Sequence, residues 1–381
     1  MTNSAHTRIG VGLVGASADW GWGAIAHVPA LQALDAFQIR AVSTTRMESA
    51  NATARRLGVD LAFDTHEALV VRPEVDLVVV AVKVPEHKRI VSDALAAGKM
   101  VHCEWPLARN LSEAEALEGF ARERGLRTVV GLQGGLHPPI LFLRDLIAQG
   151  VIGKPLSTSI RAHLADDMWV GRYDPPVEYM ADAKNGATLL SIMLGHGLEP
   201  LARVLGTFES LSAVVANQRG DGVRLSDGAS LPKDTPDEIV VAGVLEGGIV
   251  TSLHYSAGQS AGGSAMVWEI QGTEGSVRVE SASGYIHFTD FTITLRRGSE
   301  PVEVLQVPPA HAAPDLQLGA PAAGVARLYA QFAADLRDGT ADAPDFAVAL
   351  DRHRVLEAIT RAAETGHRQH LSRPDRMNSN L

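Results

Sequence analysis

The chain has 381 residues, a formal net charge of -10 and charged residues at 20% of its positions. This length is sufficient for two domains with substantial cores. The negative charge and the lack of any lysine- and arginine-rich run argue against a nucleic-acid partner. No apolar run is long enough to span a membrane, and the first residues lack the apolar core of a signal peptide. The single cysteine, Cys103, excludes an internal disulfide and suits the reducing cytoplasm, where we expect the protein.

The first third of the sequence alternates short apolar runs with helical patterns. The predicted strands cover residues 9–15, 37–43, 61–63, 75–82 and 128–133, and the predicted helices cover 24–34, 87–97 and 112–124. Pro29 predicts an irregular start for the first of these helices. Alternation of strand and helix with short loops indicates an α/β domain with a parallel sheet and right-handed crossovers, here residues 1–134.

Glycines follow the first strand in the arrangement of a dinucleotide-binding loop. Gly12 and Gly15 are followed by a longer loop with Gly21 and Gly23, an expanded form of the G-x-G-x-x-G pattern. In a Rossmann fold, backbone N–H groups and a helix N-terminus at this place face a pyrophosphate. The alternative is a glycine-rich turn without a ligand.

The end of the second strand bears on the choice between NAD and NADP. An acidic residue there would bind the ribose 2′-hydroxyl of NAD and repel the 2′-phosphate of NADP. This chain has Ser43, Thr44, Thr45 and Arg46 instead. An arginine can grip a phosphate with two parallel hydrogen bonds, so we expect NADP, with NAD still possible. The alternative is a solvated loop arginine.

From residue 135 the pattern changes to a helix followed by hairpins, which predicts an α+β domain with a mostly antiparallel open sheet over 135–374. The helices are expected at 138–149, 325–338 and 346–365. The strands are expected at 156–164, 211–218, 238–245, 249–255, 266–272, 276–280, 292–296 and 302–305. We expect a surface loop at 308–324 and a loose tail at 375–381.

The stretch Ala97–Ala108, AGKMVHCEWPLA, resembles the AGK-x-V-x-x-EKP-L-A signature of the Gfo/Idh/MocA family. The turn at 83–87 and the bridge at 150–155 also resemble that family, and the resemblance covers nearly the whole chain. It implies a Rossmann domain, a substrate domain, and oxidoreductase activity on a sugar, polyol or related hydroxy compound. Within the family, the Glu-Trp-Pro sequence at 104–106 and the Gly-His-x-x-Glu sequence at 195–199 most resemble those of one branch. That branch contains the fungal galactose-pathway repressor.

The sequence departs from the family at two positions that carry chemistry. Trp105 stands where the family has its active-site lysine, and an indole N–H can only donate a hydrogen bond. His196 matches the histidine of the family's D-x-x-x-H helix, but Ile192 replaces the aspartate. Ser191 is the nearest polar residue, but at 3.6 residues per turn it is offset from the Ile192 position by about 100° around the helix. His196 remains the candidate acid/base.

Other candidates lie before this helix. Lys184 either substitutes for the missing lysine or is a solvated charge. Trp169, Tyr173 and Tyr179 form either a loop that stacks on a sugar ring or an ordinary surface loop. The histidines and aspartates nearby match no compact metal-ligand spacing, so no metal is expected.

Residues and resemblance together give a set of expected cofactor contacts, in which Glu104 and Gln133 frame the nicotinamide ribose. The set is Gly12, Gly15, Ser17, Trp22, Thr44, Thr45, Arg46, Val82, Lys83, His87, Glu104, Trp105 and Gln133. Two hypotheses follow: an NADP-dependent oxidoreductase with a small-molecule substrate, most simply a carbohydrate, or a non-catalytic NADP-binding regulator. Apolar residues on both faces of strand 238–245 predict a homodimer or homotetramer joined through the second sheet.

Overall fold

The computed structural model describes residues 8–17, 21–287, 289–311 and 316–371. The chain forms two compact units, Met1–His137 with Ala313–Asp351, and Pro138–Ala312 with Arg352–Leu381. This division differs from the single boundary after residue 134 that the sequence suggested, because a late segment of the chain returns to the first unit. The predicted tail, 375–381, lies outside the described residues.

The helices and strands alternate along the first part of the chain and become mostly strands after it. The strands are β1 (Ile9–Val14), β2 (Phe37–Ser43), β3 (Leu61–Phe63), β4 (Leu77–Val80), β5 (Met100–Cys103), β6 (Thr128–Val130), β7 (Pro155–Leu164), β8 (Arg172–Tyr173), β9 (Phe208–Ala216), β10 (Gly222–Arg224), β11 (Ser230–Leu231), β12 (Glu238–Leu245), β13 (Ile249–Ala257), β14 (Met266–Gly272), β15 (Gly275–Ser281), β16 (Thr292–Arg297), β17 (Glu303–Leu305) and β18 (Gln369–His370). The helices are α1 (Val28–Gln32), α2 (Met47–Leu57), α3 (His66–Val70), α4 (His87–Ala96), α5 (Leu111–Glu123), α6 (Pro138–Ala148), α7 (Gly195–Leu205), α8 (Ala320–Asp338) and α9 (Phe346–Thr365).

The first unit contains a six-stranded sheet in the order β3-β2-β1-β4-β5-β6. Every pair of neighbouring strands in it is parallel. This is the order of a Rossmann fold, in which a ligand binds at the carboxyl ends of the strands where the order reverses, here between β1 and β4. The predicted Rossmann domain is confirmed.

Helix α8 joins the first unit because its apolar face has a partner there. Val325, Tyr329 and Phe332 are buried in one cluster with residues of β1, β2 and α1. The predicted loop 308–324 was too long at its end, since α8 begins at Ala320. Pro321 did not prevent this, because proline is tolerated in the first turn of a helix.

The predicted irregularity before Pro29 is present. A π-helical turn, Gly23–His27, precedes α1, and Pro29 falls in the first turn of α1.

The second unit contains a nine-stranded sheet in the order β17-β16-β15-β14-β7-β13-β12-β9-β18. Neighbours are antiparallel except β7 and β13, which are parallel. Burial alternates along β12, with Val241 and Leu245 buried and Val240 41% exposed. One face of the sheet is therefore packed within the unit and the other is open. The predicted α+β domain with a mostly antiparallel open sheet is confirmed.

A small three-stranded sheet, β11-β10-β8, was not predicted. Its strands have only two or three residues each, which is too short for an alternating pattern to emerge. In the described part of the chain, no helix combines the length and apolarity that a membrane span requires.

Candidate functional site

The loop after β1 is pressed against the end of β4 by a glycine. Gly15 has φ +96, and a Cβ on it would lie 2.4 Å from the carbonyl oxygen of Ala81. Only glycine permits both the backbone conformation and this approach. Gly12 has a different task, because a Cβ there would lie 2.5 Å from Leu69 of α3. Gly12 thus packs tightly inside β1, and its predicted contact with the cofactor stays a prediction.

The rest of the first loop returns toward the sheet through a second close contact. A Cβ on Gly23 would lie 3.0 Å from the Cα of Ala16. Ser17 and Trp22 are both partly buried along this loop, and Trp22 packs against the core. The π-helical turn that begins at Gly23 therefore starts directly beside the end of β1.

The end of β2 presents exposed polar groups. Thr45 and Arg46 are exposed, and Arg46 is the N-cap residue of α2. The Thr44 hydroxyl is 2.6 Å from the Ser49 hydroxyl and donates to the carbonyl of Arg46 at 3.0 Å. Thr44 therefore shapes the turn that carries Arg46, together with Ser49, which the sequence reading missed.

His87 holds the loops after β4 and β5 together. It is 1% exposed, and its Nδ1 lies 2.9 Å from the Pro106 carbonyl while its Nε2 lies 3.1 Å from the Val82 carbonyl. Burial lowers the pKa of His87. The side chain of Lys83 is exposed. His87 thus links the two loops at the carboxyl edge of the sheet, and its predicted contact with the cofactor stays a prediction.

Glu104, at the end of β5, is the centre of a buried hydrogen-bond network. His27 Nε2 and His102 Nε2 lie 2.9 and 3.3 Å from the same oxygen, Glu104 Oε1. The Tyr329 hydroxyl lies 2.7 Å from the other nitrogen of His27. Burial alone would raise the pKa of Glu104, but the hydrogen bonds from His102 and His27 outweigh it and hold this pKa well below its usual range. Glu104 is therefore a carboxylate.

His27, His102 and Glu104 each have an atom that could bind a metal ion, and these atoms lie within 4.8 Å of one another. Their mutual hydrogen bonds already account for the arrangement, since each imidazole directs one N–H at the carboxylate. Because both imidazoles use Oε1, the second oxygen of Glu104 can accept a hydrogen bond from a ligand.

The residues next to Glu104 and at the end of β6 complete this edge. Trp105 is 5% exposed and precedes Pro106 with a cis peptide bond. Gln133, in the turn Gln133–Leu136 after β6, is 0% exposed. In the described part of the chain, neither the nitrogen nor the oxygen of its side-chain amide has a hydrogen-bond partner. Buried amides normally have hydrogen-bond partners, so the amide of Gln133 is suited to bind a ligand.

His196 lies in the second unit and stacks on a second histidine. The rings of His196 and His287 are 3.8 Å apart between centroids and 11° from parallel, and each residue is 5% exposed. Gly197 lets α7 approach β13, because a Cβ there would lie 2.0 Å from the hydroxyl of Tyr255. His196 is therefore held on a tightly packed helix start.

The segment before His196 is not an α-helix. Leu189–Leu194 is a π-helical turn, capped by Thr188 and Ser191. A π turn bonds residues five apart, so the offset of about 100° that an α-helix gives Ser191 from the Ile192 position does not apply. The Ser191 hydroxyl itself donates to the carbonyl of Gly186 at 2.7 Å. Ser191 is thus a capping residue and does not replace the missing aspartate.

Trp169 and Tyr285, two aromatic residues of the second unit, are connected to the histidine pair. The Trp169 indole donates to the Tyr285 hydroxyl at 2.8 Å, and that hydroxyl donates to Asp166 at 2.6 Å. Burial raises the pKa of Tyr285, and the hydrogen bond to Asp166 raises it further. Tyr285 also meets His287 edge to face, with 5.8 Å between ring centroids. A chain of polar aromatic groups therefore leads from Trp169 to the histidine pair.

Three other predicted residues of the second unit are Tyr173, Tyr179 and Lys184. Tyr173 is 1% exposed, and a Cβ on Gly222 would lie 2.8 Å from its ring. The cavity beside Tyr173 has a volume of only about 10 Å³, room for a single water. Tyr173 is a packing residue and cannot stack on a sugar as predicted. Burial raises the pKa of the partly buried Tyr179 to about 12. Lys184 is exposed, which fits a solvated charge.

Comparison with known proteins places the chain in a family. The description "Oxidoreductase family, NAD-binding Rossmann fold" matches residues 9–132, and "Gal80p, C-terminal domain" matches residues 138–281. The galactose/lactose metabolism regulatory protein GAL80 of Saccharomyces cerevisiae is 30% identical over 314 residues, 77% of this chain and 71% of that protein. Dehydrogenase aclE of Aspergillus oryzae is 31% identical over 374 residues, 94% of this chain and 97% of aclE.

The chain belongs to the Gfo/Idh/MocA oxidoreductase family.

Solved structures support the same grouping. The super-repressor mutant of Gal80p from Saccharomyces cerevisiae superposes with a TM-score of 0.85 at 26% identity, covering 96% of this chain and 98% of Gal80p. Levoglucosan dehydrogenase in complex with NADH and levoglucosan gives a TM-score of 0.81 at 20% identity, covering 96% of this chain and 100% of that one. The second likeness concerns the fold alone. The relatives thus include both a regulator and dehydrogenases.

The family's Rossmann fold implies a nicotinamide dinucleotide, and the residues at this edge fit one. Gly15 and Gly23 bring the first loop against the strand ends. The unpartnered amide of Gln133 and the second oxygen of Glu104 are hydrogen-bonding groups suited to ribose hydroxyls. When bound, the nicotinamide supplies hydride transfer.

Several residues of this site were not found from the sequence. His27 and His102 meet Glu104 across 77 and 2 positions, and Tyr329 meets His27 across 302. Tyr285 and His287 follow β15 in a loop without a recognisable motif. The contacts of His27 with Glu104 and Tyr329 are long-range and leave no local pattern, whereas His102, two residues before Glu104, was a weak signal.

Proposed function

We propose that this protein is an NADP(H)-dependent oxidoreductase that acts on a sugar, polyol or related hydroxy compound. The observation that carries the proposal is the stacked pair His196 and His287, buried in the second unit beside Tyr285. Oxidation of an alcohol requires a base that takes the hydroxyl proton, and imidazole exchanges protons near neutral pH. The proposal does not depend on a lysine at position 105.

In this proposal each residue has a separate task. His196 takes up or returns the hydroxyl proton of the substrate. His287 fixes the plane of the His196 ring by stacking, and the Trp169–Tyr285–Asp166 chain holds the loop that carries His287. Gln133 and Glu104 bind the ribose next to the nicotinamide. Trp105 provides an apolar wall that excludes water from its surroundings.

NADP is the preferred cofactor in this proposal. Arg46 is exposed at the N-cap of α2, on a turn fixed by Thr44 and Ser49. No acidic side chain follows β2 within this turn, so nothing there repels a 2′-phosphate. The guanidinium of Arg46 is free to pair with that phosphate.

A direct test is the absorbance of reduced nicotinamide when the protein and NADP+ meet a panel of sugars, polyols and sugar acids. The expected result is cofactor reduction with at least one compound, faster with NADP+ than with NAD+. Tight NADP+ binding without reduction by any compound, in either direction of the reaction, would overturn the proposal.

A second candidate function has an observation of its own. Trp105 is buried where the family has lysine, and GAL80, a regulatory protein, is 30% identical to this chain. The alternative is therefore a non-catalytic NADP-binding regulator that docks a protein partner. In that case the Trp105→Lys variant should create no turnover, because Ile192 still stands where the family has its catalytic aspartate.

We also propose that two copies associate through the open face of the nine-stranded sheet. Val214, Val240 and Val250 are 65%, 41% and 60% exposed on neighbouring strands of this sheet. Burying such a patch between two copies removes apolar surface from water. Sedimentation should show a dimer or tetramer, and Val240→Glu should shift it toward monomer. A wild-type monomer at micromolar concentration contradicts this proposal.

A further inference from the structure

Arg327, in the middle of α8, has a charge that no described residue balances. Its side chain is half-buried, and its Nε atom is buried without a hydrogen-bond partner. Within the described residues this guanidinium forms no salt bridge. Burial lowers the pKa of Arg327 to about 10, so it is still a cation at neutral pH. A desolvated cation without a counter-charge is unfavourable, and a ligand that brings a negative charge removes that penalty.

The position of Arg327 relates it to the end of β6. Helix α8 packs against the turn Gln133–Leu136, which directly follows β6. His137 comes next, and burial together with the charge of Arg327 lowers its pKa to about 3. His137 is thus neutral and gives Arg327 neither a competing cation nor a counter-ion. The unpartnered amide of Gln133 lies in the same turn.

The negative charge that suits Arg327 does not come from the cofactor's phosphates. The pyrophosphate of a Rossmann ligand lies at the loop after β1, and the 2′-phosphate lies at the end of β2. Strand β6 is three places from β1 in the sheet, roughly 14 Å at the usual strand spacing of about 4.8 Å. The oxidised nicotinamide ring is itself a cation and would repel Arg327. The anion therefore belongs to a second ligand.

We infer that Arg327 binds an oxyanion of the substrate, so that the substrate is a sugar acid or a sugar phosphate rather than a neutral sugar. The planar guanidinium can make two parallel hydrogen bonds to either a carboxylate or a phosphate. This inference rests on the proposed function for the identity of the second ligand, but the anion site itself can be tested by binding alone.

The first experiment measures binding of simple anions. Malonate and inorganic phosphate are titrated into the NADPH-saturated protein by calorimetry at constant ionic strength. The wild type should show saturable binding of at least one anion, and Arg327→Gln should weaken it by about 10- to 100-fold, as expected for a charge-assisted contact. Arg327→Lys should retain part of the affinity, because it keeps the charge but loses the fork.

A matched control is available on the same helix. Arg337, also on α8, is exposed and paired with Asp338 at 2.7 Å, so Arg337→Gln should leave anion binding unchanged. Melting curves without anions show whether each variant folds. If Arg327→Gln does not fold, the comparison of wild type with Arg327→Lys decides, because a purely structural arginine would not alter anion affinity in a folded lysine variant.

A second arm identifies the source of the oxyanion. Glucose, glucuronate and glucose 6-phosphate are compared as ligands, and whichever charged sugar binds more tightly than glucose gives the class. No saturable binding of malonate or phosphate, or equal binding by wild type and Arg327→Gln, overturns the inference. A loss of NADPH affinity in Arg327→Gln equal to the loss of anion affinity also overturns it. Failure of the proposed function gives a different result, since anion binding then persists without cofactor reduction.

Discussion

The second unit pairs its buried charges, whereas the first unit holds one half-buried charge, that of Arg327, without a partner among the described residues. In the second unit, Lys233 is within 3.1 Å of Asp237 and 2.8 Å of Asn217, and its side chain is 1% exposed. Glu199 is likewise held between Arg203 and Arg352, at 2.8 and 3.1 Å. In the first unit, Arg327 has no such partner among the described residues, although Glu104 on the same unit is satisfied by two histidines.

This difference distinguishes charged side chains that stabilise the fold by pairing from polar side chains that are suited to bind a ligand. A buried pair such as Lys233 and Asp237 holds elements of the fold together, and removing one partner leaves a buried charge alone. A buried polar group without a partner costs stability and is retained where a ligand satisfies it. Substitutions should therefore lower stability at the paired positions and lower binding or turnover at the unpartnered ones.

The largest effect is expected at His196, which belongs to the chemistry although it lies in the second unit. His196→Ala should reduce turnover by about 100- to 10,000-fold, the usual worth of a general acid/base. Affinity for NADPH should stay the same, because the cofactor residues are in the first unit. Lys184→Met is the matched control and should keep full activity, since Lys184 is exposed. An active enzyme whose rate is indifferent to His196→Ala refutes the site.

Breaking the Lys233–Asp237 pair should have the next largest effect. Lys233→Met should lower the free energy of unfolding by about 3–5 kcal/mol, because Asp237 keeps its hydrogen bonds from the backbone of Gln218 and Arg219 but becomes a buried charge without a counter-ion. Urea unfolding followed by circular dichroism measures this. The exposed Lys184→Met serves again as control, with a change within about 0.5 kcal/mol. A loss at Lys233 as small as that of the control would mean that paired charges do not stabilise this unit.

The cofactor preference should follow Arg46. Arg46→Ala should remove most of the preference for NADP over NAD, a loss of about 1.5–3 kcal/mol for a charge-assisted contact. NAD affinity should be nearly unchanged, because NAD has no 2′-phosphate. Fluorescence titrations of both cofactors measure the difference. Equal affinities of the wild type for NAD and NADP would show that the end of β2 does not select the phosphate.

The smallest effect is expected at Gln133. Its substitution should lower cofactor affinity without lowering stability. Gln133→Leu removes two buried polar atoms that lack partners, so the free energy of unfolding without cofactor should not fall. Cofactor affinity should drop by about 1 kcal/mol, the value of one neutral hydrogen bond. Thermal unfolding and cofactor titration check the two halves. A variant that loses stability but keeps cofactor affinity would make Gln133 a structural residue.

Elements with a regular pattern could be predicted from the sequence. β12 and α9 have the predicted bounds, 238–245 and 346–365, because alternation and helical spacing are strong in these stretches. The parallel sheet of the first unit was also predicted, since the alternation of strand and helix is a local feature. His196 stays a prediction that rests on its resemblance to a family motif.

What could not be predicted depends on contacts between distant residues. The π-helical turn at 189–194 changes which residues share a face with His196, and no spacing rule indicates a π turn. Helix α8 was expected, but its packing partner in the first unit was not, because an apolar face does not specify what covers it. Tyr173 was assigned to a sugar site by its residue type, whereas Gly222 and the surrounding core bury it.

The most direct test of the central claim follows the hydrogen itself. Sugars and sugar acids deuterated at carbon are incubated with the protein and NADP+, and the NADPH formed is examined by mass spectrometry. The account predicts that deuterium appears on the nicotinamide with wild type and Lys184→Met, and is reduced by at least about 100-fold with His196→Ala. Tightly bound NADP+ that never acquires deuterium from any of these compounds would contradict the account and favour a regulator.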